Sequence, residues 1–263
     1  MNEPVVIRSC HELAEFHDCV ALQREIWGED PLEVEPTTAF VVAAHTGGQV
    51  IGAFAGESMV GFVLALAAIR DGQPYLHSHM AGIRAAYQNQ GIGRKLKLFQ
   101  REEALQRGIT LIEWTFDPLE LRNAHFNLNR LGAICRKYLP NFYGVTTSPL
   151  HRGLRTDRLL AEWHLEAAKV GAGVDGLVVG AVGPESSGLN MPGTDATRIA
   201  VPTEVPYGVG GDVSGKTNAL QDRLRDEFTE RFTQGFHVVA VDISPEPSYV
   251  LVRPQRIGHG GRP

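Results

Sequence analysis

Apolar residues recur at two different periods along the first 165 residues, and the changes of period divide this stretch into helices and strands. Val5–Arg8 predicts a short strand, and Cys10–Ile26 predicts an amphipathic helix because Leu13 and Phe16 begin a row at near-helical spacing. A second helix is predicted over Thr37–His45. Three β-rich runs separated by short turns then predict an antiparallel meander: Gln49–Gly56, Met59–Ile69 and Tyr75–Ile83.

Helices and strands alternate after the meander. Gly93–Arg107 carries apolar residues at helical spacing among charged ones, and Gly108 is a stop signal. Thr110–Phe116 predicts a strand, and Asp117-Pro118 opens a helix that extends to about Leu131. Two more strands are predicted over Ile134–Tyr138 and Arg158–His164. This order predicts a mixed α/β (α+β) fold, with a mainly antiparallel sheet and flanking helices.

The pattern changes after Ala168, so we predict one domain over residues 1–168 and a C-terminal αβ extension over residues 169–263. The extension begins with a long Gly- and Pro-rich connection that holds candidate strands at Leu177–Val182 and Arg198–Val201. A helix over Thr217–Thr233 and strands over Phe236–Ile243 and Tyr249–Arg253 follow. The sequence leaves three alternatives open for the role of the extension. It could pack beside the sheet, cover the acceptor cleft or form a homodimer interface.

Composition excludes several classes of protein. The chain has 263 residues, of which 43% are hydrophobic and 21% charged, as is usual for a globular protein. A net charge of -5 gives no general attraction for nucleic acid. Three scattered cysteines form no disulfide framework, the N-terminus lacks a signal-peptide pattern, and the apolar run Val60–Ile69 is too short to span a membrane. We therefore expect a cytoplasmic protein without membrane or nucleic-acid partners.

The segment between the meander and the next helix carries the clearest chemical signal. Gln88-Asn89-Gln90-Gly91-Ile92-Gly93 is a Gly-rich turn from a strand into a helix. Such a turn directs unpaired backbone N–H groups and the positive end of the helix dipole to one place, which suits a phosphate or pyrophosphate. The glycines allow a ligand to approach the backbone. Arg94, Lys95 and Lys97 add positive charge, although Lys97 also fits a solvated surface.

This segment resembles the signature of the GNAT superfamily of acyl-CoA-dependent N-acyltransferases, in which Gln or Arg is followed two residues later by Gly, one residue, and Gly or Ala. Gln88, Gly91 and Gly93 fill that pattern. The resemblance extends to the order of elements from Val5 to about Leu165 and implies a GNAT-type fold. It also implies that the turn binds the pyrophosphate of coenzyme A through the following residues: Gln88, Asn89, Gln90, Gly91, Ile92, Gly93 and Arg94. A Rossmann fold is disfavoured because the preceding strands form hairpins.

The resemblance also assigns roles on the strand before the turn. Ala81 and Ile83 occupy positions where the family offers backbone groups to the thioester carbonyl and the pantetheine arm. His77 stands where several members carry a glutamate that acts as general base, and a histidine can accept a proton near neutral pH. His79 projects from the same strand face. Either histidine also fits a merely structural role, and a His-x-His metal site lacks a third ligand, so we expect no metal.

A second segment, Asn123 to Ala133, resembles the family helix that ends in Leu-Gly-aromatic, but it departs from the pattern twice. Ala133 replaces the aromatic residue, and Leu128 stands where many members have the tyrosine that protonates the departing thiolate. Asn123 and Asn127 are candidates for contacts with coenzyme A. Tyr138, Tyr143 or water are candidates for the missing acid.

The same segment resembles a GNAT branch linked to N-acylamino-acid metabolism, in which some members use succinyl-CoA and amino acids. A carboxylate on donor or acceptor would require an arginine. Four are available without being distinguishable by sequence: Arg84, Arg122, Arg130 and Arg136.

Gly210–Thr217 matches the P-loop pattern of nucleotide-binding proteins. The segment before it contains Pro202 and Pro206 where a P-loop requires a buried strand, so nucleotide binding is disfavoured. The sequence thus predicts an N-acyltransferase that uses acetyl-CoA or succinyl-CoA as cosubstrate, with a small-molecule amine, for example an amino acid, as acceptor. The alternative is a non-catalytic acyl-CoA sensor or scaffold, which Leu128 favours.

Overall fold

The computed structural model describes residues 3–28, 33–144, 154–166, 195–203 and 211–254. The chain divides into two compact units. Unit 1 comprises residues 1–115, 143–156 and 162–166, and unit 2 comprises residues 116–142, 157–161 and 167–263. These boundaries differ from the division at residue 168, which remains a prediction.

Unit 1 contains a five-stranded mixed sheet in which the strands follow chain order from β1 to β5. Pairing is antiparallel from β1 to β4 and parallel between β4 and β5, so the predicted meander is confirmed. The strands are β1 (Val5–Ser9), β2 (Gln49–Ala55), β3 (Ser58–Arg70), β4 (Gln73–Ile83) and β5 (Leu111–Phe116). The helices are α1 (Leu13–Trp27), α2 (Thr37–His45) and α3 (Ile92–Gln106), with a 3₁₀ turn at Ala85–Tyr87.

The sheet of unit 1 is covered on both faces, and β2 is accordingly buried along its whole length. Phe16 of α1 and Phe40 of α2 pack in one cluster with Phe62 of β3. Ile92 and Leu96 of α3 pack in a second cluster with strand residues. The buried positions of Phe16, Ile92 and Leu96 agree with the apolar faces that the spacing predicts. Leu13 does not, because it lies in the exposed first turn of α1.

Gly82 allows α1 to lie close against β4. A Cβ atom built at Gly82 would come within 2.9 Å of Ile26, 3.0 Å of Trp27 and 3.3 Å of Phe62. The absence of a side chain at this position therefore fixes how closely the helix approaches the strand.

Unit 2 contains four neighbouring antiparallel strands in the order β6 (Ile134–Leu139), β9 (His237–Asp242), β10 (Ser248–Arg253) and β8 (Asp195–Ala200). Phe228 of the long helix α5 is fully buried between Tyr138 and Tyr249, with ring centroids 5.8 and 5.2 Å away. The elements are α4 (Leu121–His125) with a π-helical turn at Phe126–Arg130, β6 (Ile134–Leu139), β7 (Arg158–His164), β8 (Asp195–Ala200), α5 (Gly211–Thr233), β9 (His237–Asp242) and β10 (Ser248–Arg253). β7 contributes residues to both units.

Two predicted elements differ in extent from the structure. The helix predicted to run to Leu131 is a short α-helix continued by a π-helical turn, and the C-terminal helix begins at Gly211 rather than at Thr217. The candidate strand at residues 177–182 and most of the Gly- and Pro-rich connection lie outside the described residues. None of the described helices is long and apolar enough to cross a membrane.

Candidate functional site

The Gly-rich turn leads directly into the first turn of α3. Gly91 adopts a left-handed conformation (φ 77°), and Asn89 does so as well (φ 60°). The first intrahelical hydrogen bond runs from the Lys95 N–H to the Gly91 carbonyl at 3.1 Å, and no side chain caps the helix. The N–H groups of the first helical turn are therefore left for an external acceptor, such as an anion.

The side chains of this turn fold back and leave its centre open. The Gln88 side-chain amide donates to the Ile83 carbonyl at 3.1 Å, and that of Gln90 donates to the Ala86 carbonyl at 2.9 Å. Apart from the neighbouring backbone of Gly91 itself, no atom of the described residues lies within 4 Å of a Cβ atom built at this position. Together with exposed Arg94, the turn has room and positive potential for a bound anion.

Strands β4 and β5 form a fork. Their parallel ladder consists of only two residue pairs, Leu76 with Ile112 and His77 with Glu113. β4 continues to Ile83 and β5 to Phe116 without further pairing between them. Beyond His77, the edge of β4 that faces away from β3 thus lacks a β5 partner.

Lys97 lies buried at the closed end of this fork. Its Nζ donates to Ser78 Oγ at 2.7 Å and to Gln100 Oε1 at 2.9 Å, and it lies 4.3 Å from the centroid of the Trp114 ring. Ser78 and Trp114 directly follow the last paired residues of β4 and β5. Burial lowers the pKa of the ammonium to about 7.

The burial of Lys97 corrects two sequence-based interpretations of it, since only 5% of the residue is exposed. It is not part of a solvated surface, and its ammonium is bound at the fork rather than added to the exposed charge of the Gly-rich turn.

The two histidines of β4 lie side by side, with ring centroids 6.5 Å apart. Burial is the main cause that lowers the pKa of His77, and the charges of His79, Lys97 and Arg70 act in the same direction. His79 Nε2 lies 3.0 Å from Glu35 Oε1. The hydrogen bond with His79 lowers the pKa of the Glu35 carboxyl.

A bidentate ion pair joins the far end of β3 to β5. Two nitrogens of the Arg70 guanidinium donate to the two carboxylate oxygens of Glu113, at 2.5 and 2.8 Å. Arg70 also lies over the ring of Tyr75, 4.6 Å from its centroid. The Glu113 side chain is buried, with 2% exposed, so the pair compensates a buried charge directly beside the fork.

The second predicted segment lies in unit 2. Asn123 is on α4 and Asn127 on the π-helical turn, where the Asn127 side-chain amide donates to Asn123 Oδ1 at 3.3 Å. Leu128 is buried.

Both tyrosines that are candidates for the acid that protonates the thiolate are hydrogen-bonded. The Tyr138 hydroxyl donates to Asp157 Oδ2 at 2.8 Å, and the Tyr143 hydroxyl lies 2.9 Å from Thr115 Oγ1. The arginine candidate Arg84 is paired with Glu25 of α1.

The described part of the P-loop-like segment is helical. Residues 211–217 are part of α5, so they do not form the phosphate-binding loop that such a motif requires before its helix. Among the described residues, no group of three or more His, Cys, Asp or Glu side chains could hold a metal ion.

Sequence reasoning missed Glu35 and misassigned Lys97. Glu35 is 44 residues from His79 in the chain, in an acidic loop with no periodic pattern. The available signal for Lys97 was its place next to Leu96 in the buried part of an amphipathic helix, but a lysine there is normally expected to reach solvent.

The family model described as acetyltransferase (GNAT) family matches residues 10–132. No curated protein matches the chain.

Several solved structures resemble the chain in fold. The ribosomal-protein-S18-alanine N-acetyltransferase of Escherichia coli is 15% identical, with a TM-score of 0.50 over 63% of this chain and 97% of that one. A GNAT-family protein of Desulfovibrio desulfuricans is 14% identical, with a TM-score of 0.50 over 62% and 99% of the two chains. The Arabidopsis thaliana protein NAA60 in complex with acetyl-CoA is 12% identical, with a TM-score of 0.50 over 61% and 99%. At these identities the likeness concerns the fold.

Proposed function

We propose that this chain, whose residues 10–132 match the acetyltransferase (GNAT) family model, transfers an acyl group from acyl-CoA to the amine of a small molecule. The observation that carries this proposal is the open, uncapped turn at Gly91 beside the fork between β4 and β5. The turn suits the pyrophosphate of coenzyme A, and the fork suits its extended thioester arm.

In this proposal, the pyrophosphate accepts hydrogen bonds from the backbone of the turn and the start of α3. The residues concerned are Gln88, Asn89, Gln90, Gly91, Ile92, Gly93 and Arg94. The pantetheine arm then follows the free edge of β4, where Ala81 and Ile83 offer backbone groups. Asn123 and Asn127 remain proposed contacts of coenzyme A on the basis of the family resemblance.

The chemistry requires a neutral amine that attacks the thioester carbonyl, and a leaving thiolate. A histidine of β4 takes up the proton of the amine, and the sequence predicts His77 for this role. Thiols ionise with a pKa near 8.5, so coenzyme A leaves readily as the thiolate. A hydrocarbon side chain at Leu128 is therefore compatible with turnover when water supplies the final proton.

For the acyl donor and the amine acceptor, we propose classes of compound. Acetyl-CoA and succinyl-CoA are the donors to compare, and amino acids are the first acceptors to examine. An assay of free thiol, run with each donor against a panel of amino acids and other primary amines, identifies the pair. Binding of acyl-CoA without thiol release for any amine would instead favour a sensor or scaffold.

Gly91→Asp tests the proposed pyrophosphate site. The change places a side chain and a negative charge in the open space at the start of α3, so we expect the Kd for coenzyme A to rise by about 100-fold or more, equivalent to about 2.7 kcal/mol. Isothermal titration calorimetry with coenzyme A measures the change.

Gly72→Asp is the matched control for backbone strain. Gly72 has nearly the same φ (74° against 77°) and equally open surroundings, but it lies in the turn between β3 and β4. We expect this variant to bind coenzyme A as the wild type does. Unchanged affinity in Gly91→Asp would refute the proposed site.

A further inference from the structure

We propose that His79, rather than His77, accepts the proton of the acceptor amine, and that Glu35 is the positioning residue that orients the His79 imidazole. This inference rests on the proposed N-acyl transfer and adds the identity of its base.

A β-bulge places His79 at the opening of the fork. In the ladder between β3 and β4, Leu64 pairs with Met80 and Ala65 with Ser78, so His79 is the extra residue without a partner on β3. Bulges redirect a side chain out of the regular alternation and are common beside active sites. His79 is also two residues beyond His77, where the pairing with β5 ends. It therefore lies at the start of the edge along which the thioester arm is proposed to bind.

The contact with Glu35 fixes the orientation of the imidazole. A hydrogen bond from His79 Nε2–H to the ionised Glu35 carboxylate, 3.0 Å away, leaves the lone pair on Nδ1. The side chains remain partly open to solvent, with 27% exposed for His79 and 35% for Glu35. Nδ1 is thus the available acceptor on a ring that its partner holds in place.

Glu35 is itself held by the side chain of Gln23 from α1. The Gln23 amide donates to the Glu35 carbonyl at 3.2 Å and accepts from the Glu35 N–H at 2.9 Å. Gln23 is buried, with 1% exposed. The carboxylate therefore projects from a stretch of backbone just before α2 that a buried side chain holds in place.

His77 has the opposite surroundings. The groups that bear on the two imidazoles are Glu35 in the segment before α2, Glu113 of β5, Lys97 of α3 and Arg70 of β3. Glu35 is hydrogen-bonded to His79, so a carboxylate lies directly beside that imidazole. At His77, burial and the nearby cations lower the pKa against the smaller opposite effect of Glu113, so His77 resists protonation.

The proposed acyl transfer forms one bond, breaks another and moves one proton. The nitrogen lone pair of the amine forms the new C–N bond at the thioester carbonyl, and the C–S bond breaks with its electron pair on sulfur. The proton lost by the nitrogen moves to His79 Nδ1. Glu35 stays ionised and stabilises the imidazolium, which then gives its proton to water or to the thiolate.

Single substitutions distinguish the two histidines. With the best donor and amine from the thiol-release panel, we expect His79→Gln to lower kcat by about 10²–10⁴-fold and to abolish the ionisation of the base in the pH profile of kcat/KM. Glu35→Gln lowers kcat by a smaller factor, about tenfold or more, and changes the same ionisation. His77→Gln retains that ionisation. All three variants keep the calorimetric Kd for coenzyme A within about twofold of the wild type.

The reverse pattern, with the ionisation lost in His77→Gln and retained in His79→Gln, would overturn the assignment while leaving the proposed function intact. Absence of thiol release by the wild type with every amine would count against the proposed function and this inference together. Loss of coenzyme A affinity in His79→Gln would also overturn the inference, because His79 would then be a binding residue.

Nitrogen NMR of the protein without ligand provides an independent test. We expect His79 in the wild type to be the Nε2–H tautomer, and the proportion of this tautomer to fall in Glu35→Gln. Glu33→Gln, which removes a carboxylate two residues away, is the control. An Nδ1–H tautomer in the wild type would contradict the role of Nδ1 as proton acceptor.

Discussion

Lys97 shows at the scale of one residue how a local pattern and its tertiary setting can disagree. The sequence places it near the exposed start of a helix, whereas the fold surrounds its ammonium with Ser78, Gln100 and the Trp114 ring. The spacing of apolar residues predicts which face of α3 is buried, but it does not predict that one lysine turns toward that face. For His79, the sequence predicts the correct strand, but it does not predict the contact with Glu35.

Lys97→Met tests the depressed pKa of the buried ammonium through stability. Between the folded pKa of about 7 and the ordinary value of 10.5, the unfolded chain holds a proton that the folded chain lacks, so stability rises with pH. We expect the unfolding free energy of the wild type, relative to the variant, to increase by about 1.4 kcal/mol per pH unit over this interval. Urea unfolding from about pH 7.5 to about pH 9.5 measures it.

Lys95→Met, which removes an exposed lysine from the same helix, is the control for net charge in that experiment. A constant difference between wild type and Lys97→Met across this pH range would contradict the depressed pKa.

At the scale of elements, the fork between β4 and β5 depends on few interactions. Two residue pairs join the strands. Next to these pairs, the Arg70–Glu113 ion pair links β5 to the end of β3. The individual strands follow from the alternation and β-propensity of the sequence. Their separation beyond His77 does not, because the extent of pairing is decided by the packing on both sides of the strands.

Arg70→Met tests the contribution of the ion pair to this arrangement. The change leaves the Glu113 carboxylate buried without its charged partner, so we expect a loss of about 1–3 kcal/mol in the free energy of unfolding. The cost should fall by more than half when Arg70→Met is made in a Glu113→Gln background.

Tyr75→Phe is the control for the second contact of Arg70, because it removes the hydroxyl and keeps the ring under the guanidinium. Equal costs of Arg70→Met in both Glu113 backgrounds would show that the ion pair contributes nothing.

At the scale of the whole molecule, the two compact units differ in their tryptophan content. All three tryptophans of the chain, Trp27, Trp114 and Trp163, belong to unit 1. The proposed pyrophosphate turn and both β4 histidines also belong to unit 1. Tryptophan fluorescence therefore follows the unit that contains the proposed pyrophosphate turn, whereas circular dichroism follows both units.

Coenzyme A should stabilise unit 1 in proportion to its binding. At about 100 times Kd, the ligand adds about 2.7 kcal/mol to the stability of the binding unit, so we expect the midpoint of the fluorescence transition to rise by about 5–10 °C. Inorganic phosphate at the same concentration is the control, and Gly91→Asp should lose most of the shift. No shift in the wild type at saturating coenzyme A would contradict binding in unit 1.

The sequence by itself determined the features that depend on neighbouring residues. Gly91 and the uncapped helix start that follows it are set by local backbone conformation, and the antiparallel meander is set by alternation and short turns. Only the tertiary structure decided the pairing of Glu35 with His79, the burial of Lys97 and the point at which β4 and β5 separate. These features join residues that are far apart in the chain, and their geometry depends on how helices pack on the sheet, which no local pattern encodes.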